Sequence, residues 1–300
     1  MIIPEISENY FWVDYGLALF ISTLKTFSLS DVGMFAIAAF VNIFVAVWFC
    51  RRFSPEPILS FCLFMSWHFY PTVGAMRHGF AIAVFMLLFG FILDRKWLST
   101  VAIWSIGISV HKILLMTAPF YFAFRFFGYR MLMLQVLMVF LAIAFVSGGA
   151  FFLTFELLGD LMPNQIADKI VEYRNAHLAR EDAFGGPVDL TSGLILKSVM
   201  ICFALIFFYK GMEERFPGYN IFAASFIFGI CIMLFAADFK IVADRVIHLF
   251  SITEIILLPM LMHRVSPLWV GRFVVIMLAI MQMFLLYGTE LRPYETNFLS

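Results

Sequence analysis

DVGMFAIAAFVNIFVAVWFCRR, residues 31–52, holds twenty residues with a single charge at the first position and two arginines behind them. An α-helix rises about 1.5 Å per residue, so twenty residues cross roughly 30 Å, the thickness of a bilayer's hydrocarbon core. The rest of the chain repeats this pattern. Of its 300 residues 63% are hydrophobic and 13% charged, 39 are Phe, and the mean hydropathy is +0.96. A soluble surface needs roughly 25% charged residues, so the solvent for this chain is lipid. Peptide groups in lipid must satisfy one another, which permits helices or closed barrels. The runs are continuous rather than alternating, and that selects helices.

Further apolar runs occupy residues 57–73, 78–93, 97–124, 131–153, 192–209, 219–237, 241–262 and 268–287. The run 97–124 is too long for one span, and the dipeptide His111-Lys112 divides it into two shorter segments. Residues 10–24 are short and carry Asp14, which suits an interfacial segment. The expected fold is therefore an all-α polytopic membrane bundle of about 8–10 transmembrane segments. Basic residues in short loops stay on the cytoplasmic side. Threading the spans alternately gathers Arg51, Arg52, Arg95, Lys96, Arg125, Arg130, Lys210, Arg215 and Arg264 on one side, which is assigned inside. Residues 1–30, the loop 154–190 within the transmembrane domain 31–287, and the tail 288–300 then fall on the extracytoplasmic side. No basic leader precedes the first run, so the spans act as their own insertion signals.

Zero net charge gives no reason to expect nucleic acid as a partner. Cys50, Cys62, Cys202 and Cys231 sit inside apolar runs and read as core filler. GxSxG, HExxH and phosphate-loop patterns are absent, as are zinc spacings and Asp-rich motifs. Chemistry, if present, falls to Arg, His and carboxylates, with no metal and no cofactor expected.

A charge within a span costs roughly 2.5–3.5 kcal/mol on insertion scales and by default marks function. The threading puts Arg77 and His78, His111 and Lys112, and Asp238, Lys240, Asp244, Arg245 and His248 all at the outer side. Asp244 and Arg245 stand four and three residues before His248, so all three can share one helical stripe. Arg77 and Arg245, with Lys112 or Lys240, suit the oxygens of a diphosphate. His111, His248, Asp238 and Asp244 suit proton transfer. Blander readings stand beside these: lysines snorkelling to the interface, an Asp244–Arg245 structural pair, and interhelical hydrogen bonds from His78 and His248. In the outer loop Ile166, Ile170, Val171 and Leu178 alternate with charges that include Arg174 and Arg180, the pattern of an amphipathic helix that roofs the site or simply links two spans. Glu254, deep in an apolar run, is expected to bond a neighbouring helix.

The segment Met76-Arg77-His78-Gly79-Phe80-Ala81-Ile82-Ala83, followed by a span, Asp94-Arg95-Lys96, another span and Ser109-Val110-His111, resembles the EpsG family of O-antigen or exopolysaccharide polymerase-like membrane proteins, related in role to Wzy. Ala243-Asp244-Arg245-Val246-Ile247-His248, with the later Leu258-Pro259, is similar to the family's arginine-bearing late span. The resemblance covers residues 30–262; His78 stands where Gln is usual, and residues 1–30 look like the stretch that follows a first span, as in a shortened or diverged member. It implies a bacterial cytoplasmic-membrane enzyme, with a GT-C-like bundle as one form of its fold, that joins undecaprenyl-diphosphate-linked repeat units at the outer face. Arg77, His78, Lys112, Lys240, Arg245, Arg174 and Arg180 would bind substrate, and His111, Asp244 and His248 would serve catalysis. Its partners would be the polyprenyl-diphosphate-linked oligosaccharide, membrane lipids and proteins of polysaccharide export or chain-length control. Two other classes compete: a flippase or transporter of the same lipid-linked glycan, and a membrane O-acyltransferase of the same pathway.

Overall fold

The computed structural model describes residues 14–69, 72, 76–121, 193–236 and 240–289, and every regular element among them is helical. The protein is an all-helical membrane bundle. Helix α1 is Tyr15–Thr26, α2 Asp31–Phe53 and α3 Pro57–Leu63, the last continued by a π-turn over Phe64–His68. Then come α4 Met76–Leu93, α5 Trp97–Val110 and a 3-10 turn Lys112–Met116. After the described gap follow α6 Gly193–Phe207, α7 Met212–Arg215, α8 Tyr219–Phe235, α9 Lys240–Ser251, α10 Glu254–Met262 and α11 Leu268–Thr289. The expected span 131–153, the outer loop and the tail 290–300 lie outside the described residues.

Helix α2 shows how sequence sets an element. The Ser30 hydroxyl accepts from the Gly33 amide at 3.2 Å, Asp31 occupies the first turn and Arg51 and Arg52 the last, so cap and dipole agree on both ends. Its inward face meets α4 and α8 through Phe49, Phe89 and Phe222, whose ring centroids lie 5.0–5.9 Å apart. Helix α8 is buried almost all round and forms the centre of the bundle.

Arg125 and Arg130 lie outside the described residues, while the described basic loops meet at one end, in keeping with the threading. There Arg52 reaches Asp94 at 2.5 Å, Arg272 reaches Glu56 at 2.5 Å, and Arg215 donates to the His263 carbonyl at 3.2 Å. Arg52, with Lys96 behind it, holds the Asp94 carboxyl below its ordinary range.

Three breaks shape the opposite half. Helix α5 stops at His111, which is extended at φ −156° and ψ 117°. Ten residues of continuous helix would separate Trp104 from Leu114 by about 15 Å. Instead the Trp104 indole donates to the Leu114 carbonyl at 3.1 Å and to Thr117 Oγ1 at 3.0 Å, so the chain reverses at the expected dipeptide. The run 241–262, expected as one helix, is split: α9 and α10 are bent by 48° about Ile252 and Thr253. The Thr253 hydroxyl turns back to the Phe250 carbonyl at 3.0 Å, and Pro259 removes one amide from α10. The run 57–73 likewise carries the π-turn. Helix α1 packs on α5, where a Cβ at Gly16 would stand 2.3 Å from Ser109 Oγ.

Helices α8 and α9 are in tight contact at Gly229, where a Cβ would come within 2.1 Å of the Phe250 Cβ. Gly229→Ala must part the two helices and is expected to lose about 1–3 kcal/mol of stability. A thermal melt of the variant in detergent measures this; an unchanged midpoint would contradict the packing.

Candidate functional site

The end of the bundle opposite the basic loops is built by four elements. Helix α4 opens with Arg77 and His78, and Gly79 lets its first turn lie against Thr72, whose carbonyl oxygen would stand 1.9 Å from an added Cβ. That close approach buries His78 to 8% exposure. The break after α5 swings His111 out of the helical register, and the two rings face edge on with centroids 6.0 Å apart. From α9 comes His248, 6.3 Å from the His78 ring. Arg245, one turn earlier and exposed, lies within electrostatic range of His78 and His111. Arg77 is half exposed, and its Nη1 donates to Asp14 Oδ2 at 3.0 Å, so α1 supplies a carboxylate to the rim.

Arg77, His78, His111, Arg245 and His248, predicted separately along the sequence, thus converge. Lys112 follows His111 directly and lies within range of Asp14. Asp244 is half-buried on α9 a turn before His248. Lys240 opens α9, about 12 Å along the axis from His248. Asp238, Arg174 and Arg180 lie outside the described residues.

Both ring nitrogens of His78, Nδ1 of His248 and Nε1 of Trp67 are buried and find no hydrogen-bond partner among the described residues. Leaving such groups unpaired costs about 1–3 kcal/mol each, and they are normally satisfied by water or a ligand's polar atoms. Beside two arginines, these unclaimed donors and acceptors are of the chemical kind that could hydrogen-bond a polar, anionic molecule.

Deeper in the bundle stands a second charged group that sequence reasoning saw only in part. Glu254, at the start of α10, is 1% exposed. Its Oε2 lies 3.0 Å from Lys197 Nζ on α6, and its Oε1 lies 3.3 Å from His68 Nε2 on the π-turn. The expected interhelical bond of Glu254 is therefore present, made to two helices at once. Lys197 was missed, although it is the single charge in the apolar run 192–209. His68 and Asp14 were missed as well, His68 because a lone histidine in an apolar run gives no spacing to read.

Residues 3–296, a span that includes this site and nearly the whole chain, match the EpsG family. The chain belongs to the EpsG family. The match extends past the 30–262 covered by the motifs and takes in the segment that carries Asp14. No curated protein and no solved structure matches the chain. The match makes it a polysaccharide polymerase-like membrane protein at the level of the family.

Convergence of the three imidazoles in this EpsG-family chain is directly measurable. In 15N-histidine spectra of the protein in nanodiscs, His111→Ala and His248→Ala are each expected to displace the ring resonances of His78. Resonances unmoved by both substitutions would show that the rings do not meet.

Proposed function

We propose that the protein is a polymerase-type glycosyltransferase that joins polyprenyl-diphosphate-linked repeat units at the outer face of a bacterial cytoplasmic membrane. The observation that carries this reading is the meeting of Arg77 and Arg245 with His78, His111 and His248 at the end of the bundle away from the basic loops. Family membership supports a glycan-polymerase reading, and the position of the site away from the basic loops supports the outer side.

In the reaction a sugar hydroxyl of one lipid-linked unit attacks the anomeric carbon of the glycan on another. The new carbon–oxygen bond forms as the bond to the diphosphate oxygen breaks, and the electron pair leaves with the diphosphate. Arg77 and Arg245 neutralise the charge that develops there, an electrostatic role that falls to fixed guanidinium donors. Arg77 must turn from Asp14 toward the diphosphate or share itself between them. His111 accepts the hydroxyl proton, with Asp244 as the alternative acceptor, and His78 and His248 hydrogen-bond the substrate's polar atoms through their unclaimed nitrogens. The polyprenyl chains remain in the lipid.

A second reading, transport of the same lipid-linked glycan, draws on the bent α9–α10 pair and on the charges at Glu254 and Lys197, features that transporters place inside the membrane. The rim arginines favour chemistry over passage, because a leaving diphosphate needs them where they stand. An acyltransferase would draw its donor from the inner side, away from this site.

Arg77→Ala and His111→Ala are each expected to lower polymerisation by about 10²–10⁴-fold, the usual contribution of a positioned acid–base or charge-stabilising group. Cells carrying either variant would show single repeats in place of long glycan. Full-length glycan from both variants at normal protein level would overturn the reading, and vesicles that move the lipid-linked sugar without elongating it would favour transport.

A further inference from the structure

The charged group around Glu254 is too deep to touch a substrate held at the rim, yet it is joined to the rim by an unbroken stack. Lys197 Nζ, bound to Glu254, lies 4.6 Å from the centroid of the Trp67 ring. Trp67 in turn faces His248 with ring centroids 6.5 Å apart, and His248 faces His78. The second partner of Glu254, His68, is the chain neighbour of Trp67 on the π-turn. Trp67 is thus braced twice by one carboxylate: through the cation over its ring and through the backbone of His68, whose carbonyl also accepts from the Thr72 hydroxyl. Glu254 itself sits just past the non-helical Ile252 and Thr253, where α9 with His248 and Arg245 departs from α10.

A buried ion pair is weak support for stability, because well-packed apolar side chains in its place serve as well or better. What such a pair does fix is geometry, since Coulombic and hydrogen-bonding demands tie α6, α10 and the π-turn to one arrangement. Turns of the π type inside helices also recur at functional sites. Here the π-turn carries Trp67, the ring that faces His248.

We propose that Glu254 is a positioning residue: through Lys197 and His68 it clamps Trp67, and Trp67 sets His248 against His78 in the outer site. The proposal rests on the polymerase reading for its kinetic consequence but not for its structural one. Glu254→Gln removes the charge and keeps the shape; Lys197→Met with Glu254→Met removes the clamp without stranding a buried charge; Glu254→Asp is the conservative rescue.

The experiment uses the full-length protein in nanodiscs labelled with 5-fluorotryptophan, the Trp67 resonance being assigned from Trp67→Phe. The clamp predicts that the double Met variant melts close to the parent, displaces the Trp67 resonance and the 15N resonances of His248, and lowers kcat by about 10²-fold with little change in KM, the effect of a displacement near 1 Å. Glu254→Asp is expected to return most of the rate. A Trp67 resonance that stays in place in the double variant, or a double variant with parental kcat, would overturn the clamp. If the parent protein itself fails to polymerise, the outer-site reading falls, and the Trp67 and His248 resonances decide the clamp without it.

Discussion

A charge inside a bilayer must be answered by protein, because lipid offers it nothing. In this chain that constraint is met at Glu254, whose carboxylate draws Lys197 from α6 and His68 from the π-turn to the head of α10. The contact holds three segments that are far apart in sequence, with Glu254 lying 57 residues from Lys197 and 186 from His68. Around it the bundle is apolar and close-packed, with the Phe-lined α8 at its centre. Above it stand the histidines and arginines of the outer end, so the same constraint that anchors the core also ties it to the site.

Polar groups here differ in how they are satisfied. At the basic end Arg52 pairs with Asp94 and Arg272 with Glu56, both partly solvated. Such pairs contribute little to stability and mainly fix where the helices end. His78 is buried with both ring nitrogens unclaimed by described residues, and so is Nδ1 of His248. Leaving donors and acceptors unclaimed forgoes stability there, and that cost supports the proposal that another molecule's polar atoms meet them.

Much of this was legible in the sequence. Continuous apolar runs could only be helices, and basic loops separated by span-length segments had to meet at one end. The reversal at His111 followed from the length of residues 97–124 and the charged dipeptide within them. Arg77, His78, His111, Arg245 and His248 were readable as a set because each breaks an apolar run at the same threaded depth. What escaped was of another kind. The bend between α9 and α10 depends on a threonine hydroxyl turning onto its own backbone, and Thr253 looks ordinary in sequence. Lys197 and His68 matter only through Glu254, and pairing across spans is a tertiary fact that no local spacing announces. Asp14 signalled a weak span rather than a partner for Arg77, since nothing in the local sequence tells that α1 packs on α5.

The central claim is that the outer end performs glycosyl transfer between lipid-linked repeats. Its most direct measurement places the purified protein in proteoliposomes with a defined polyprenyl-diphosphate-linked repeat unit on the outer-facing leaflet, and follows both glycan length and free polyprenyl diphosphate. The account predicts a ladder of lengthened glycans with one polyprenyl diphosphate released for each bond formed. Repeats that remain single while the lipid-linked sugar crosses to the other leaflet would contradict it.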